Sequence, residues 1–150
     1  MIFMGMKEEI RASGILAVNK NTGRVLLVKR SKLCPEPDLW ANVGGKMDPD
    51  EVDPRITAIR EFKEEVQPDE PYDLSKLPLT VTMEGPVKFY TYLGLFENEF
   101  VPVLNEENTE YGWFDFDDLP EKLLPACDLI FRNKSGQIKR LLRKIRAKSI

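Results

Sequence analysis

The sequence predicts an α+β fold in which helices pack on a mixed β-sheet. Three observations lead to this prediction: a pair of apolar, β-branched runs near the start of the chain, one clear helix start in the middle, and further apolar runs followed by helical periodicity near the end. The 150 residues suit a single domain over 1–150, and the content of 42% apolar and 31% charged residues is typical of a globular protein.

The first third of the chain predicts two strands, a loop and a short third strand. The runs IRASGILAVN (10–19) and RVLLVKR (24–30) are rich in β-branched residues, and the KNTG between them is a turn signal. Two prolines make SKLCPEPD (31–38) a loop. LWANV (39–43) is expected to form a short strand that stops at the paired glycines, 44–45.

A central helix is predicted from its terminal residues. Asp53 is suited to the N-cap position, and Pro54 is suited to the first helical position because its missing N–H would have no partner there. The helix is expected to run to about Val66, because Pro68 disfavours helical geometry in the residue before it. A polar, proline-rich loop should follow over 68–78.

Apolar runs and helical periodicity predict the second half of the chain. Strands are expected at 79–85, 87–98, 99–104 and 111–116. LPEKLL (119–124) is expected to begin a helix. A further terminal helix is predicted within 135–148, where four apolar residues recur at helical spacing: Ile138, Leu141, Leu142 and Ile145.

The absence of histidine restricts the chemistry that the protein can perform. It excludes Ser-His-Asp and Cys-His catalysis and all imidazole metal sites. A catalytic metal would have to be held by oxygen, which favours Mg²⁺ or Mn²⁺. A general base would have to be a carboxylate, a lysine, a tyrosine, a cysteine or a metal-bound water. Cys34 and Cys127 follow no metal-binding spacing and are expected to be reduced thiols.

The charge distribution bears on partners and location. The net charge is −3, but the centre of the chain is acidic, and 132–148 holds eight basic residues and no acidic one. This basic stretch could suit RNA or a membrane surface, although its apolar stripe favours packing on the domain, so neither partner is predicted. No run reaches the roughly 20 apolar residues of a membrane span, and no signal-peptide pattern is present, so a cytoplasmic location is expected. The sequence leaves open whether the protein forms a homodimer.

Three glutamates are expected to share one side of the central helix. At about 100° per residue, Glu61, Glu64 and Glu65 lie within one sector. The opposite sector is expected to meet the core and holds four apolar residues: Ile56, Ile59, Phe62 and Val66. Arg60 can pair with Glu64 at i,i+4, whereas Glu61 and Glu65 repel each other. On its own, this pattern is also consistent with an ordinary solvated helix face.

The wider stretch GGKMDPDEVDPRITAIREFKEEV (44–66) resembles the Nudix hydrolase box. That box has a glycine, five residues, a glutamate, seven residues, then Arg-Glu, a hydrophobic residue, any residue and Glu-Glu. Gly45 and Glu51 match its opening, and its core is matched by Arg60, Glu61, Phe62, Glu64 and Glu65. Eight residues, not seven, separate Glu51 from Arg60, and the extra one is expected in the loop before the helix start, where it costs little.

The resemblance implies a Nudix-like α/β/α sandwich and a metal-dependent pyrophosphatase. Mg²⁺ or Mn²⁺ would neutralise charge on the phosphates during cleavage of a phosphoanhydride. The implied metal ligands are the carboxylates of Glu61, Glu64 and Glu65 and the backbone carbonyl of Gly44. Arg60, helped by Glu51, would orient the glutamates.

The family often takes one more carboxylate from a later loop, as a metal ligand or a base. NEENTEYGW (105–113) fits this loop, with Glu107 as the first candidate and Glu110 as the second. The same segment is also consistent with a polar surface loop before a strand.

The resemblance implies a nucleotide substrate without fixing which one. A nucleoside diphosphate linked to another group is expected, with ADP-ribose or a diadenosine polyphosphate favoured and a nucleoside triphosphate next. Arg11 and Arg30 are candidates to meet phosphates, and Trp40 is a candidate to stack on a base; a surface charge or a core aromatic is the alternative for each. A non-catalytic nucleotide-sensing module also remains open, although the retained box carboxylates favour an enzyme.

Overall fold

The computed structural model describes residues 9–148. Over this range, the chain forms eight strands and two helices. In chain order they are β1 (Ile10–Asn19), β2 (Val25–Arg30), β3 (Trp40–Ala41), β4 (Val43–Lys46), α1 (Pro54–Val66), β5 (Asp73–Leu74), β6 (Thr80–Glu84), β7 (Val87–Phe96), β8 (Asn108–Phe114) and α2 (Pro125–Lys148).

The strands form one mixed sheet with β1 at its centre. β7 runs parallel to β1 along its whole length, from Ile10 opposite Val87 to Asn19 opposite Phe96. The other edge of β1 pairs antiparallel with β4 and, near its end, with β2. β3 and β8 extend the sheet from β2, whereas β5 and β6 pair with β7. The predicted α+β class with a mixed sheet is confirmed.

The two faces of the sheet support two separate hydrophobic clusters. Successive side chains of a strand point to opposite faces, so Ile15 and Ala17 of β1 face one cluster, and Leu16 and Val18 face the other. The first cluster lies under α1 and includes Ala58, Phe62 and Val66. The second lies under α2 and includes Cys127, Ile130, Phe131, Ile138 and Leu142. The result is a helix–sheet–helix sandwich.

The limits of α1 follow from its end residues, as predicted. The Asp53 side chain accepts a hydrogen bond from the Arg55 N–H at 2.9 Å, and Pro54 occupies the first helical position. At the other end, Gln67 adopts a left-handed conformation with φ of 46°, and its N–H donates to the Lys63 carbonyl. These contacts position the glutamate-bearing helix firmly at both ends.

The core-facing sector of α1 is rotated from the predicted one. Its buried residues are Thr57, Ala58, Phe62, Glu65 and Val66. Ile56, which was expected to face the core, is 54% exposed. The sheet therefore covers the side of the helix that carries Glu65, rather than the side that carries Ile56.

The prediction that a strand ends at the paired glycines was wrong. β4 runs through Gly44 and Gly45 and pairs with Ser13 and Gly14 of β1. A Cβ atom at Gly44 would lie 2.8 Å from the Gly14 Cα. The two backbones can therefore pack this closely because both residues lack a side chain.

Two further element predictions were wrong. Residues 99–104 are not a strand, because their backbone partners lie outside a ladder: the Val103 N–H donates to the Val66 carbonyl, and the Phe100 carbonyl accepts from the Trp113 indole. Residues 119–124 are not helical, because 122–124 bond the backbone of Trp40 in a short bridge. α2 begins at Pro125 and contains the predicted helix at 135–148 as its second half. Among the described residues, no helix is both long enough and apolar enough to cross a membrane.

Candidate active site

A cavity of about 720 Å³ opens between α1, the sheet and the start of α2. The glycines of β1 and β4 form part of its wall, and Thr82 and Phe89 line it from β6 and β7. Cys127 and Ile130 reach it from α2. Six carboxylates of the described residues also line it, among them Glu61 and Glu65 of α1 and Glu107 of the loop before β8.

These three carboxylates converge on one point. Each offers an oxygen atom that lies within 4.8 Å of the others. Glu65 is only 5% exposed, Glu61 is half-buried and Glu107 is exposed, so the cluster runs from the protein interior to the cavity. Burial is the main cause that raises the pKa of Glu61, and burial with the nearby charge of Glu107 raises the pKa of Glu65 to about 9. Such a site favours a bound cation over three free negative charges.

Glu65 has one oxygen with a partner and one without. Its Oε1 accepts a hydrogen bond from the Asn108 side-chain amide at 3.0 Å. Its Oε2 is buried and finds no donor among residues 9–148. A buried carboxylate oxygen without a donor is costly, and a cation would relieve that cost. The all-oxygen set of Glu61, Glu65 and Glu107 therefore fits Mg²⁺ or Mn²⁺.

Arg60 organises the adjacent carboxylates. It donates to both oxygens of Glu51, with Nε–Oε2 at 3.0 Å and Nη2–Oε1 at 2.7 Å. Its Nη1 donates to Glu61 at 3.0 Å and to Glu64 at 3.2 and 3.3 Å. The Arg60 guanidinium is the main cause that lowers the pKa of Glu51 to about 2. Glu51 thus holds Arg60, which in turn holds Glu61.

The loop glycine of the motif makes room for Glu61. A Cβ atom at Gly45 would lie 2.5 Å from Oε2 and 2.6 Å from Oε1 of Glu61. The carboxylate therefore lies directly over the Gly45 backbone, a position that any larger residue would obstruct. Gly44 lines the same cavity next to it.

The remaining predicted site residues lie in different surroundings. Glu64 is exposed on α1 and pairs with Arg60, outside the converging trio. Glu110 pairs with Lys29 at 3.1 Å on the exposed part of β8. Arg30 lines the cavity and donates to the Pro35 carbonyl at 2.7 and 3.0 Å. The other two predicted residues, Trp40 and Arg11, are not part of the cavity wall.

Trp40 and Arg11 belong to other parts of the sheet. Trp40 packs edge-on against Phe114, with ring centroids 5.2 Å apart, beside the cluster under α2. Arg11 lies on β1 opposite Lys88 of β7. Sequence reasoning missed Asn108, whose only signal was its place directly after Glu107 in the late loop.

Comparisons with known proteins identify a matching family and related folds. A family model described as the NUDIX domain matches residues 9–132. The crystal structure of a MutT NUDIX hydrolase from Burkholderia pseudomallei is 25% identical with a TM-score of 0.64, and the match covers 84% of this chain and 98% of that one. No curated protein sequence matches significantly.

Two other solved structures share the fold at lower identity. An Ap4A hydrolase binary complex from C. elegans is 23% identical with a TM-score of 0.61, covering 92% of this chain and 96% of that one. A bifunctional NMN adenylyltransferase/ADP ribose pyrophosphatase from Francisella tularensis, complexed with AMP and an Mn ion, is 19% identical with a TM-score of 0.64, covering 89% of this chain and 43% of that one. Because the NUDIX model matches most of the sequence, and Glu61 and Glu65 of the box line one cavity, the chain belongs to the Nudix hydrolase family.

Proposed function

We propose that the protein is a metal-dependent pyrophosphatase that hydrolyses a phosphoanhydride bond in a nucleoside diphosphate linked to another group. One observation carries this proposal: the oxygens of Glu61, Glu65 and Glu107 converge within 4.8 Å at the wall of a large cavity. A buried oxygen of Glu65 has no donor within the part of the chain that the structure describes, as expected of a cation ligand.

The proposed roles divide between holding a cation and keeping its ligands in place. Mg²⁺ or Mn²⁺, when bound, would neutralise charge on the phosphates and on the transferring oxygens. Glu61, Glu65 and Glu107 would supply carboxylate ligands, and Gly44 would add its backbone carbonyl. Arg60 orients Glu61 through a hydrogen bond at 3.0 Å.

Glu64 and Glu51 complete the proposed catalytic set. Glu64 is exposed at the end of α1 and lies 3.2 Å from Arg60, so it can move to the cation or take a proton from the attacking water. Glu51 accepts two hydrogen bonds from Arg60 and fixes its guanidinium plane. The guanidinium in turn keeps Glu64 near Glu61.

The cavity supports a substrate larger than a single phosphate. Its volume of about 720 Å³ is within the range of ordinary nucleotide-sized sites. Arg30 lies at the wall, where its guanidinium can meet phosphate oxygens, and the Phe89 ring offers a surface for a base. Neighbours of the same fold include an Ap4A hydrolase and a bifunctional NMN adenylyltransferase/ADP ribose pyrophosphatase, which supports a preference for ADP-ribose or a diadenosine polyphosphate. A nucleoside triphosphate is the alternative. We also propose that residues 1–150 form a single domain and that the protein is located in the cytoplasm.

A substrate panel tests the proposal. The protein would be incubated with ADP-ribose, diadenosine tri- and tetraphosphate, FAD, NADH and the nucleoside triphosphates, each with Mg²⁺, with Mn²⁺ and with EDTA. Release of a nucleoside monophosphate that requires the metal supports the pyrophosphatase and ranks its substrates. Nucleotide binding without any turnover, unchanged by EDTA, would instead make the protein a nucleotide-binding module.

A further inference from the structure

A buried amide supports the most buried carboxylate of the site. Asn108 is 7% exposed and Glu65 is 5% exposed, and the Asn108 Nδ2 donates to the Glu65 Oε1 at 3.0 Å. The bond joins the first residue of β8 to the last turn of α1. Because both side chains are buried, breaking it would leave a polar group without a partner.

An irregularity in the sheet directs Asn108 towards Glu65. On β2, Lys29 pairs with Glu110 of β8, but the next residue, Arg30, pairs with Asn108, so Thr109 is an extra residue on β8. A bulge of this kind changes the direction of side chains on the bulged strand. In a regular strand, Asn108 and Glu110 would face the same side. Here Asn108 is buried against Glu65, and Glu110 is exposed beside Lys29.

The chemistry of the partner suits a cation ligand better than a structural ion pair. A lysine or arginine in this place would neutralise Glu65 and compete with a metal. The Asn108 amide is neutral, so it fixes one oxygen without supplying a positive charge that would compete with a cation. The other oxygen, Oε2, finds no donor in the described range. One oxygen of the Glu65 carboxylate lies within 4.8 Å of carboxylate oxygens of Glu61 and Glu107.

We propose that Asn108 is a positioning residue that holds the Glu65 carboxylate with Oε2 directed to the cation site. This inference rests on the proposed function, because it assigns Asn108 a role in metal binding. Asn108 is not one of the three carboxylates that converge on the cation site. It acts by restricting the rotation of the Glu65 carboxylate, as partners outside the ligand shell commonly do for metal ligands.

The test uses two variants of Asn108 and one matched control. Asn108→Leu keeps the size of the side chain and removes the donor, and Asn108→Ala is the second variant in case the first does not fold. Asn98→Leu removes an asparagine–glutamate hydrogen bond of the same kind, from Nδ2 to Glu70 Oε2 at 2.7 Å, on the exposed surface. Folding of each protein is checked by thermal unfolding in EDTA.

The measured quantity is the Kd for Mn²⁺ of the full chain without nucleotide, by isothermal titration calorimetry. For a folded Asn108 variant, we expect Kd to rise roughly 10- to 100-fold, whereas Asn98→Leu should stay within about twofold of the wild-type value. Saturating Mn²⁺ should also restore much of the lost kcat of the Asn108 variant. A general loss of structure would not respond to metal in this way.

Two results would overturn the inference, and they are distinguishable. If the wild-type protein binds Mn²⁺ and hydrolyses a substrate, and the folded Asn108 variant binds Mn²⁺ equally well, then Asn108 does not position Glu65. If the wild-type protein neither binds Mn²⁺ nor hydrolyses any substrate, then the proposed function itself fails.

Discussion

Arg60 and Glu51 form a two-point ion pair across the loop that precedes α1. The Arg60 Nε lies 3.0 Å from Glu51 Oε2, and its Nη2 lies 2.7 Å from Oε1. The extra residue between the two does not prevent the pairing. Glu51 also accepts a hydrogen bond from the Asp48 N–H at 2.8 Å, and the neighbouring Val52 is 81% exposed, so the longer loop bulges into solvent.

Glu51→Gln should destabilise the protein at neutral pH. We expect a loss of about 1–3 kcal/mol in the free energy of unfolding, because a charge-assisted hydrogen bond to the partly buried Arg60 is lost. The pKa of Glu51 is lowered from its ordinary 4.5 to about 2, so the pair stabilises above pH 4.5, and its contribution is lost as the pH falls towards 2. Urea unfolding of both proteins across this range checks the prediction. The prediction is contradicted if the difference in free energy of unfolding between the wild-type protein and Glu51→Gln grows as the pH falls.

Glu65→Gln should stabilise the protein when no metal is present. Burial raises the pKa of Glu65 from 4.5 to about 9. Between these two pH values, Glu65 is protonated in the folded state and ionised in the unfolded state. The wild-type protein should therefore lose stability as the pH rises from 4.5 to 9, and the variant should not. Urea unfolding in EDTA measures the difference. Glu64→Gln, at an exposed position of the same helix, is the control: it keeps Glu65, so it should lose stability with rising pH as the wild-type protein does.

Gly45→Ala should weaken metal binding with little loss of stability. The added Cβ would lie 2.5 Å from Glu61 Oε2, and the flexible end of Glu61 can move away at low cost. That movement takes the carboxylate out of the trio, so we expect Mn²⁺ affinity to fall roughly 10-fold or more. Calorimetric titration with Mn²⁺ measures the effect. Gly136→Ala, in the exposed part of α2, is the control: it should leave Mn²⁺ affinity unchanged and stabilise by about 0.5–1 kcal/mol. Unchanged Mn²⁺ affinity in Gly45→Ala would show that Glu61 is not a ligand.

Glu107 and Glu110 should differ sharply in their effect on hydrolysis. Glu107 has an oxygen within 4.8 Å of Glu61 and Glu65, whereas Glu110 pairs with Lys29. We expect Glu107→Gln to lower kcat/KM by roughly 10²-fold or more, and Glu110→Gln by less than about twofold. Steady-state kinetics on the best substrate of the panel decides between them. Equal losses in both variants would reject Glu107 as the late-loop carboxylate.

Local chemistry predicted some elements well because their causes lie in adjacent residues. The helix start at Asp53-Pro54 needs only a side-chain acceptor and a proline. Residues 99–104 were predicted as a strand from their apolar character. Their partners, however, are the end of α1 and Trp113, which no local pattern in the sequence indicates.

The site was predictable as a set of residues but not as an arrangement. The sequence places Glu61, Glu64 and Glu65 on one side of α1, but the rotation of the helix on the sheet decides which of them is buried. That rotation buries Glu65 and leaves Glu64 exposed. Asn108 could not be identified, because its role depends on a bulge in the pairing of β2 with β8.

The most direct test of the central claim is Mg²⁺-dependent hydrolysis of ADP-ribose and diadenosine tetraphosphate by the wild-type protein and by Glu65→Gln. The account predicts that the wild-type protein releases a nucleoside monophosphate from at least one of them, that EDTA stops the reaction, and that Glu65→Gln lowers kcat/KM by roughly 10²-fold or more. Hydrolysis that persists in EDTA, or a Glu65→Gln variant as active as the wild-type protein, would contradict it.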